Sequence, residues 1–130
     1  MCSIESAPLI GIDLLEPARL QESVERTPEL RSTLFLPGEL EYCDAQARPF
    51  EHLAARFCAK EAAVKALSIA AWEPHEIEVI EGGASCALAL HGAVAERARS
   101  LGVTVTISLS HVAGLSAAVV LALPSVTISE

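Results

Sequence analysis

Aromatic residues are scarce: one Trp, one Tyr and three Phe in 130 residues. A core built from this chain is therefore aliphatic and rich in Ala. Basic residues are outnumbered, 9 Lys and Arg against 17 Asp and Glu, for a net charge of −8. That balance argues against a general nucleic-acid binder, because Lys and Arg contacts to phosphate dominate such affinity. It equally disfavours an anionic membrane surface as partner. No apolar run approaches the roughly 20 residues that span a bilayer. No basic segment followed by an apolar stretch and a cleavage site opens the chain, so a cytoplasmic location is expected. The four cysteines, Cys2, Cys43, Cys58 and Cys86, form no CxxC pair. Neither a zinc site nor a disulfide framework is expected, and the thiols are read as reduced and mostly in the core.

What is present is enough for one domain, residues 1–130 with a core over about 8–124. A hydrophobic fraction of 52% is too high for a disordered chain. The apolar run over residues 8–15 reads as a buried strand. Pro17 opens a helix to about Val24, and Thr27-Pro28 breaks it. Pro37-Gly38-Glu39 starts a short helix to about Ala47. A long helix follows from about Phe50 to Ile69, then a loop at Trp72-Glu73-Pro74. Ile77–Ile80 and Cys86–Leu90 read as strands joined at Gly82-Gly83. Ala93–Ser100 reads as a helix stopped by Gly102. Val103–Leu109 alternates apolar and polar, which is a strand with one buried face, and Ser110-His111 ends that run. Leu115–Leu123 is a last apolar strand after a turn at Gly114. The expected class is α+β, a mainly antiparallel sheet packed with a long helix.

Three features place charge where a core is expected. Asp13 lies in a strand with no other polar side chain, and a lone buried carboxylate needs a partner, a hydrogen bond or a metal. Gly11, on the same face, is read as leaving space beside it. The ordinary alternative is a strand-end Asp capping the next helix. In the long helix, Lys60 falls about 20° from Leu53 on a helical wheel, inside the apolar stripe of Leu53, Phe57, Val64 and Leu67. Glu61 falls at the edge of that stripe with Lys65 four residues on. The opposite side carries Ala55, Ala59, Ala62, Ala63 and Ala66. The alternative here is a Lys60 stem that reaches outward and a Glu61–Lys65 surface pair. Third, Thr104, Thr106, Ser108 and Ser110 share one strand face and are followed by His111. A Ser–His nucleophile drawn on Ser110 and His111 lacks the strained elbow such serines occupy. His52, His75 and His91 show no ligand spacing and are read as exposed. Together, Asp13 and Glu61 suit one hard divalent cation such as Mg²⁺, with Lys60, Lys65 and His111 as cations for phosphates. That combination belongs to phosphoryl-group chemistry.

The same residues carry a family resemblance. Gly11-Ile12-Asp13-Leu14, with Arg19 six after the Asp, resembles the first signature of the 4′-phosphopantetheinyl transferases. Residues 56–66, Arg-Phe-Cys-Ala-Lys-Glu-Ala-Ala-Val-Lys-Ala, resemble the second, (W/F)-x-x-K-E-(A/S)-x-x-K. Ile107-Ser108-Leu109-Ser110-His111 resembles the closing S-(I/L)-(S/T)-H segment. Size and motif order fit the short type, the holo-[acyl-carrier-protein] synthases.

The resemblance implies transfer of phosphopantetheine from coenzyme A to a serine of an apo carrier protein, with release of 3′,5′-ADP. It implies Asp13, Glu61 and Lys65 as catalytic residues, with Mg²⁺ on Asp13 and Glu61. It implies that Lys60, Lys65, Arg56 and His111 hold coenzyme A, His111 near the 3′-phosphate. The general base stays open between an ordered water and Glu61. A homotrimer with sites between subunits is implied, so Asp13 and Glu61 are open to meeting across an interface. Carrier docking is implied on the first helix, through Arg19 and Arg26. Two departures stand out. Gly82-Gly83-Ala84-Ser85-Cys86 replaces a G-(K/R)-P segment near the nucleotide. The region of the first helix also offers Arg19, Arg26 and Arg31 among Glu16, Glu22, Glu25 and Glu29, which suits a less acidic carrier. The altered segment leaves a second reading, an impaired member that only binds carrier proteins.

Overall fold

The computed structural model describes residues 9–82 and 85–126. Strand β1 (Leu9–Leu15) leads into α1 (Pro17–Arg26), α2 (Leu30–Leu34), α3 (Pro37–Asp44) and the long α4 (Pro49–Leu67). A 3₁₀ turn at Pro74–Glu76 precedes β2 (Ile77–Gly82) and β3 (Ser85–Leu90), followed by α5 (Gly92–Leu101), β4 (Val103–Val112) and β5 (Leu115–Pro124). β1, β5 and β4 form an antiparallel three-stranded sheet in that order, and β2 pairs with β3 in a separate antiparallel pair. This is the α+β arrangement that the sequence pattern predicts. No helix among the described residues is long and apolar enough to cross a membrane.

Helix α4 is the centre of the molecule. It is buried on nearly every side, from Leu53 to Leu67. The alanine side packs deepest: Ala62, Ala63 and Ala66 meet Val120 and Ala122 of β5, and Ala59 meets Ala118. Small side chains let a helix backbone approach a sheet closely. Gly11 is the extreme case, since a Cβ there would lie 2.0 Å from the Ala62 carbonyl oxygen. The space beside Asp13 is thus filled by the α4 backbone. The expectation of room there for a ligand is corrected.

A second cluster joins Leu20 and Val24 of α1 to Phe35, Cys43, Leu53 and Ala54. Cys43 and Cys58 are buried, as expected for core thiols, while Cys2 lies outside the described residues. Burial pushes the Cys43 thiol up to about 11 and, with Asp13 beside it, the Cys58 thiol up to about 12.

Two boundaries differ from the pattern-based expectation. Helix α2 follows the break at Thr27-Pro28, where the pattern gives no helix; five residues are too few to show a hydrophobic period. β4 does not end at Ser110-His111 but runs to Val112, because the turn lies beyond it at Gly114 (φ 82°) and His111 still pairs with Ser116 of β5. Gly102 ends α5 in the left-handed region (φ 67°), as predicted.

The sheet face turned away from α4 is bare. On β1 it presents Ile10, Ile12 and Leu14, with 66%, 56% and 57% of their surface exposed, paired across to Leu121, Val119 and Ala117. Thr104, Thr106, Ser108 and Ser110 continue that face on β4, all exposed.

Candidate active site

Asp13 points from β1 toward α4, where it meets Lys65. The Lys65 ammonium lies 3.2 Å from Asp13 Oδ1 and donates to the Ile12 carbonyl at 2.9 Å. Glu61 sits one helical turn before Lys65, half-buried on the same side of α4. Burial raises the proton affinity of Glu61, and the Asp13 carboxylate raises it further, while Lys65 acts in the opposite direction. Asp13, Glu61 and Lys65 therefore converge within one chain. Of the two open alternatives, meeting within one chain is the one seen. Lys65 pairs with Asp13 and not with Glu61, so the surface-pair alternative does not hold.

The remaining expected residues lie elsewhere. Arg56 precedes Lys65 by nine positions, about half a turn around the helix. It faces a pocket of about 420 Å³, lined among others by Tyr42, His52, Arg56, Glu81, Ser108 and His111. Arg56 is 2% exposed there and reaches Glu81 at 3.2 Å, with its guanidinium 4.4 Å above the Tyr42 ring. Its Nε is buried with no hydrogen-bond partner among the described residues. His111 lies 3.2 Å from Glu51 through Nδ1 and packs edge-on against His52 at 5.0 Å. Burial, then His111 and Arg56, keep His52 below the ordinary histidine range. His75 and His91 are exposed as expected; His52 is not. Its spacing of four before Arg56 on one helix face was the available signal.

His111 thus engages Glu51 and His52 and makes no hydrogen bond to Ser110, which gives the Ser–His nucleophile no support. Gly83 and Ala84, in the segment that departs from the family pattern, lie outside the described residues.

Lys60 takes neither place. Its side chain is 0% exposed and its ammonium donates to Glu39 Oε1 at 2.9 Å, to the Pro74 carbonyl at 3.0 Å and to the Ile77 carbonyl at 2.5 Å. Burial lowers its proton affinity and Glu39 counters that. The expected coenzyme A contact through Lys60 is corrected: an ammonium with all three protons committed inside the protein has none for a ligand. The outward-reaching stem is equally ruled out. Glu39, 1% exposed, was read only as a helix-start residue.

On α1, Arg19 is 75% exposed on its side chain and 4.0 Å from Glu16. Arg26 is exposed beside Glu22 and Glu25. Arg31 is held by Asp44 at 2.5 Å.

The family model for the 4′-phosphopantetheinyl transferase superfamily matches residues 9–115. The holo-[acyl-carrier-protein] synthase of Moorella thermoacetica is 45% identical over 116 residues, covering 85% of this chain and 90% of that protein. The synthase of Streptomyces coelicolor is 45% identical over 117 residues, covering 87% and 94%. Among solved structures, the Chronobacterium ammoniagenes ACPS–CoA complex superposes with a TM-score of 0.81 at 28% identity, covering 92% of this chain and 98% of that one. The chain belongs to the 4′-phosphopantetheinyl transferase superfamily, as an enzyme of its holo-[acyl-carrier-protein] synthase group.

Proposed function

We propose that this chain transfers 4′-phosphopantetheine from coenzyme A to a serine of an apo acyl carrier protein in a Mg²⁺-dependent reaction, releasing 3′,5′-ADP. The observation that carries this reading is the convergence of Asp13, Glu61 and Lys65 where β1 crosses α4. The donor set fits the cation. Two carboxylates are hard oxygen ligands, and Mg²⁺ is commonly held by one or two carboxylates plus substrate phosphates. Burial first, and the Asp13 carboxylate second, raise the proton affinity of Glu61, and a divalent cation would offset both. When bound, the ion supplies charge neutralisation on the pyrophosphate and a better leaving group.

The chain's own residues do the rest. Asp13 and Glu61 would hold the cation, and Lys65, 54% exposed at the same edge, offers its ammonium to a phosphate. The carrier serine oxygen attacks the β-phosphorus, the bond to 3′,5′-ADP breaks, and the serine proton passes to an ordered water or to Glu61. Arg56, with its buried unpartnered Nε, and His111 line a pocket suited to the nucleotide end of coenzyme A. A solved relative is a complex with CoA, which supports coenzyme A as the co-substrate.

The two groups of residues lie about half a turn apart around α4, which favours a site shared between chains. The bare apolar face of Ile10, Ile12 and Leu14 supports assembly of three chains, with one chain's carboxylates completed by a neighbour's Arg56–His111 pocket. A carrier reaching Asp13 would rest on α1, through Arg19 and Arg26. Its acidic neighbours favour a carrier of modest negative charge.

The test is the intact mass of an apo carrier protein after incubation with this chain, coenzyme A and Mg²⁺, with EDTA as control. A metal-dependent gain of one phosphopantetheine is expected. No gain on any carrier from soluble, folded protein would overturn the reading.

A further inference from the structure

The pair Lys60–Glu39 lies behind the pocket that holds Arg56, and each protein element it joins also supplies one pocket wall. Glu39 belongs to α3, and Tyr42, three residues later, carries the ring under the Arg56 guanidinium. Lys60 belongs to α4, and Arg56 lies one turn before it. Glu39 Oε2 accepts the Val79 amide of β2 at 2.9 Å, and Glu81, two residues on, holds Arg56. Glu39 Oε1 also accepts the Leu36 amide at the start of α3. Lys60 adds the carbonyls of Pro74 and Ile77, at the entry to β2. β2 and β3 form no backbone ladder with the three-stranded sheet. The polar tie between that hairpin and α4 is therefore made by side chains, and this buried pair is at its centre.

We propose that Lys60 and Glu39 are positioning residues for the Arg56–His111 pocket: a buried clamp that sets where Tyr42 and Glu81 hold the Arg56 guanidinium, with no contact to the ligand. The proposal rests on reading that pocket as the coenzyme A nucleotide site. It gives the lysine next to the site carboxylate Glu61 a role unlike that of Lys65. Lys65 is 54% exposed at the carboxylates, whereas Lys60 has no exposure and no free proton. Cutting one partner of such a pair leaves the other charged and unsatisfied, so the elements it joins must shift.

The experiment compares the parent full-length chain with Lys60→Met, Glu39→Gln and the double variant, measuring coenzyme A affinity by calorimetry and thermal stability alongside. Each single variant is expected to weaken coenzyme A binding about tenfold or more, and the double variant to recover to within about threefold of the parent, as coupled neighbours do. Recovery separates positioning from contact, because a lysine that touched phosphate would leave the double variant as weak as Lys60→Met. Equal weakness of those two variants would overturn the proposal. So would singles that lose thermal stability yet bind with parental affinity. If Lys60→Met does not fold, Glu39→Gln decides alone: weakened binding supports the clamp and parental binding overturns it. A parent chain that binds no coenzyme A would instead overturn the reading of the pocket, and the proposal with it.

Discussion

Lys65 and Asp13 stand 52 residues apart in the sequence and 3.2 Å apart in the fold. The pair is half open to water, so it adds at most about 1 kcal/mol to stability. Its value lies in placing an ammonium beside the carboxylates. Lys65→Ala is therefore expected to leave the melting temperature nearly unchanged and to raise KM for coenzyme A about tenfold, with a smaller change in kcat. Steady-state kinetics with coenzyme A varied would check this, and an unchanged KM would contradict the phosphate contact.

Glu61 is held in a place that costs the protein stability. Its carboxyl binds a proton more tightly in the folded state than in the unfolded chain, where the ordinary value is 4.5. Stability therefore rises as pH falls through the folded-state titration, and the ionised carboxylate is a penalty at neutral pH. Glu61→Gln should melt higher than the parent at pH 7 without metal, with the gain vanishing below about pH 4.5. The same variant should lose on the order of 100-fold in turnover, a few kcal/mol of barrier. Mg²⁺ with coenzyme A should raise the melting temperature of the parent and not of the variant. A variant that melts lower at pH 7, or keeps full turnover at low Mg²⁺, would refute this account.

Gly11 has no freedom to be anything else. A methyl group there would sit 2.0 Å from the Ala62 carbonyl and 2.9 Å from the Ala66 amide, both backbone atoms that cannot rotate away. Gly11→Ala must push β1 off α4, at about 3 kcal/mol. For a chain of this length that is roughly 10 °C in melting temperature. Asp13 moves with β1, so activity should fall further than stability alone explains. A variant with parental stability and turnover would show that the strand–helix contact tolerates separation.

Much of this was legible in the residues, and the failures have one cause. Helix and strand positions followed from periodicity, proline and glycine, because those signals act over a few residues. Asp13 stood out because charge interrupted an apolar strand, and Glu61 and Lys65 because they follow the misplaced Lys60 at the edge of the apolar stripe. What the pattern does not encode is which distant group answers a buried charge. Lys60 was visibly misplaced on its helix, yet its partner Glu39 lies 21 residues earlier in a short helix with no unusual feature. Gly11 signalled close approach, but not whether backbone or ligand comes close. Arg56 belonged to a motif, while its stacking on Tyr42 and pairing with Glu81 arise only when α3 and β2 pack on α4.

The division of the site across α4 yields the sharpest prediction. Glu61→Gln removes one half, and Arg56→Ala removes the other, so each chain alone should be nearly inactive. If sites form between neighbours, a mixed assembly contains contacts that pair an intact Asp13–Glu61 edge with an intact Arg56 pocket. Random mixing of equal amounts places both intact halves together at about one quarter of the contacts in a closed ring. Co-refolded mixtures should regain activity of that order, whereas mixtures kept apart should not. Ile12→Glu offers the complement. The side chain is 56% exposed on the bare face, and Lys65 is bonded to the Ile12 carbonyl, not to its side chain. The substitution therefore spares the carboxylate half while placing charge on the apolar face. Light scattering should show single chains, and turnover should fall at least about tenfold. No recovery in co-assembled mixtures, or an active single-chain Ile12→Glu, would place the complete site within one chain and require Arg56 to act in some other way.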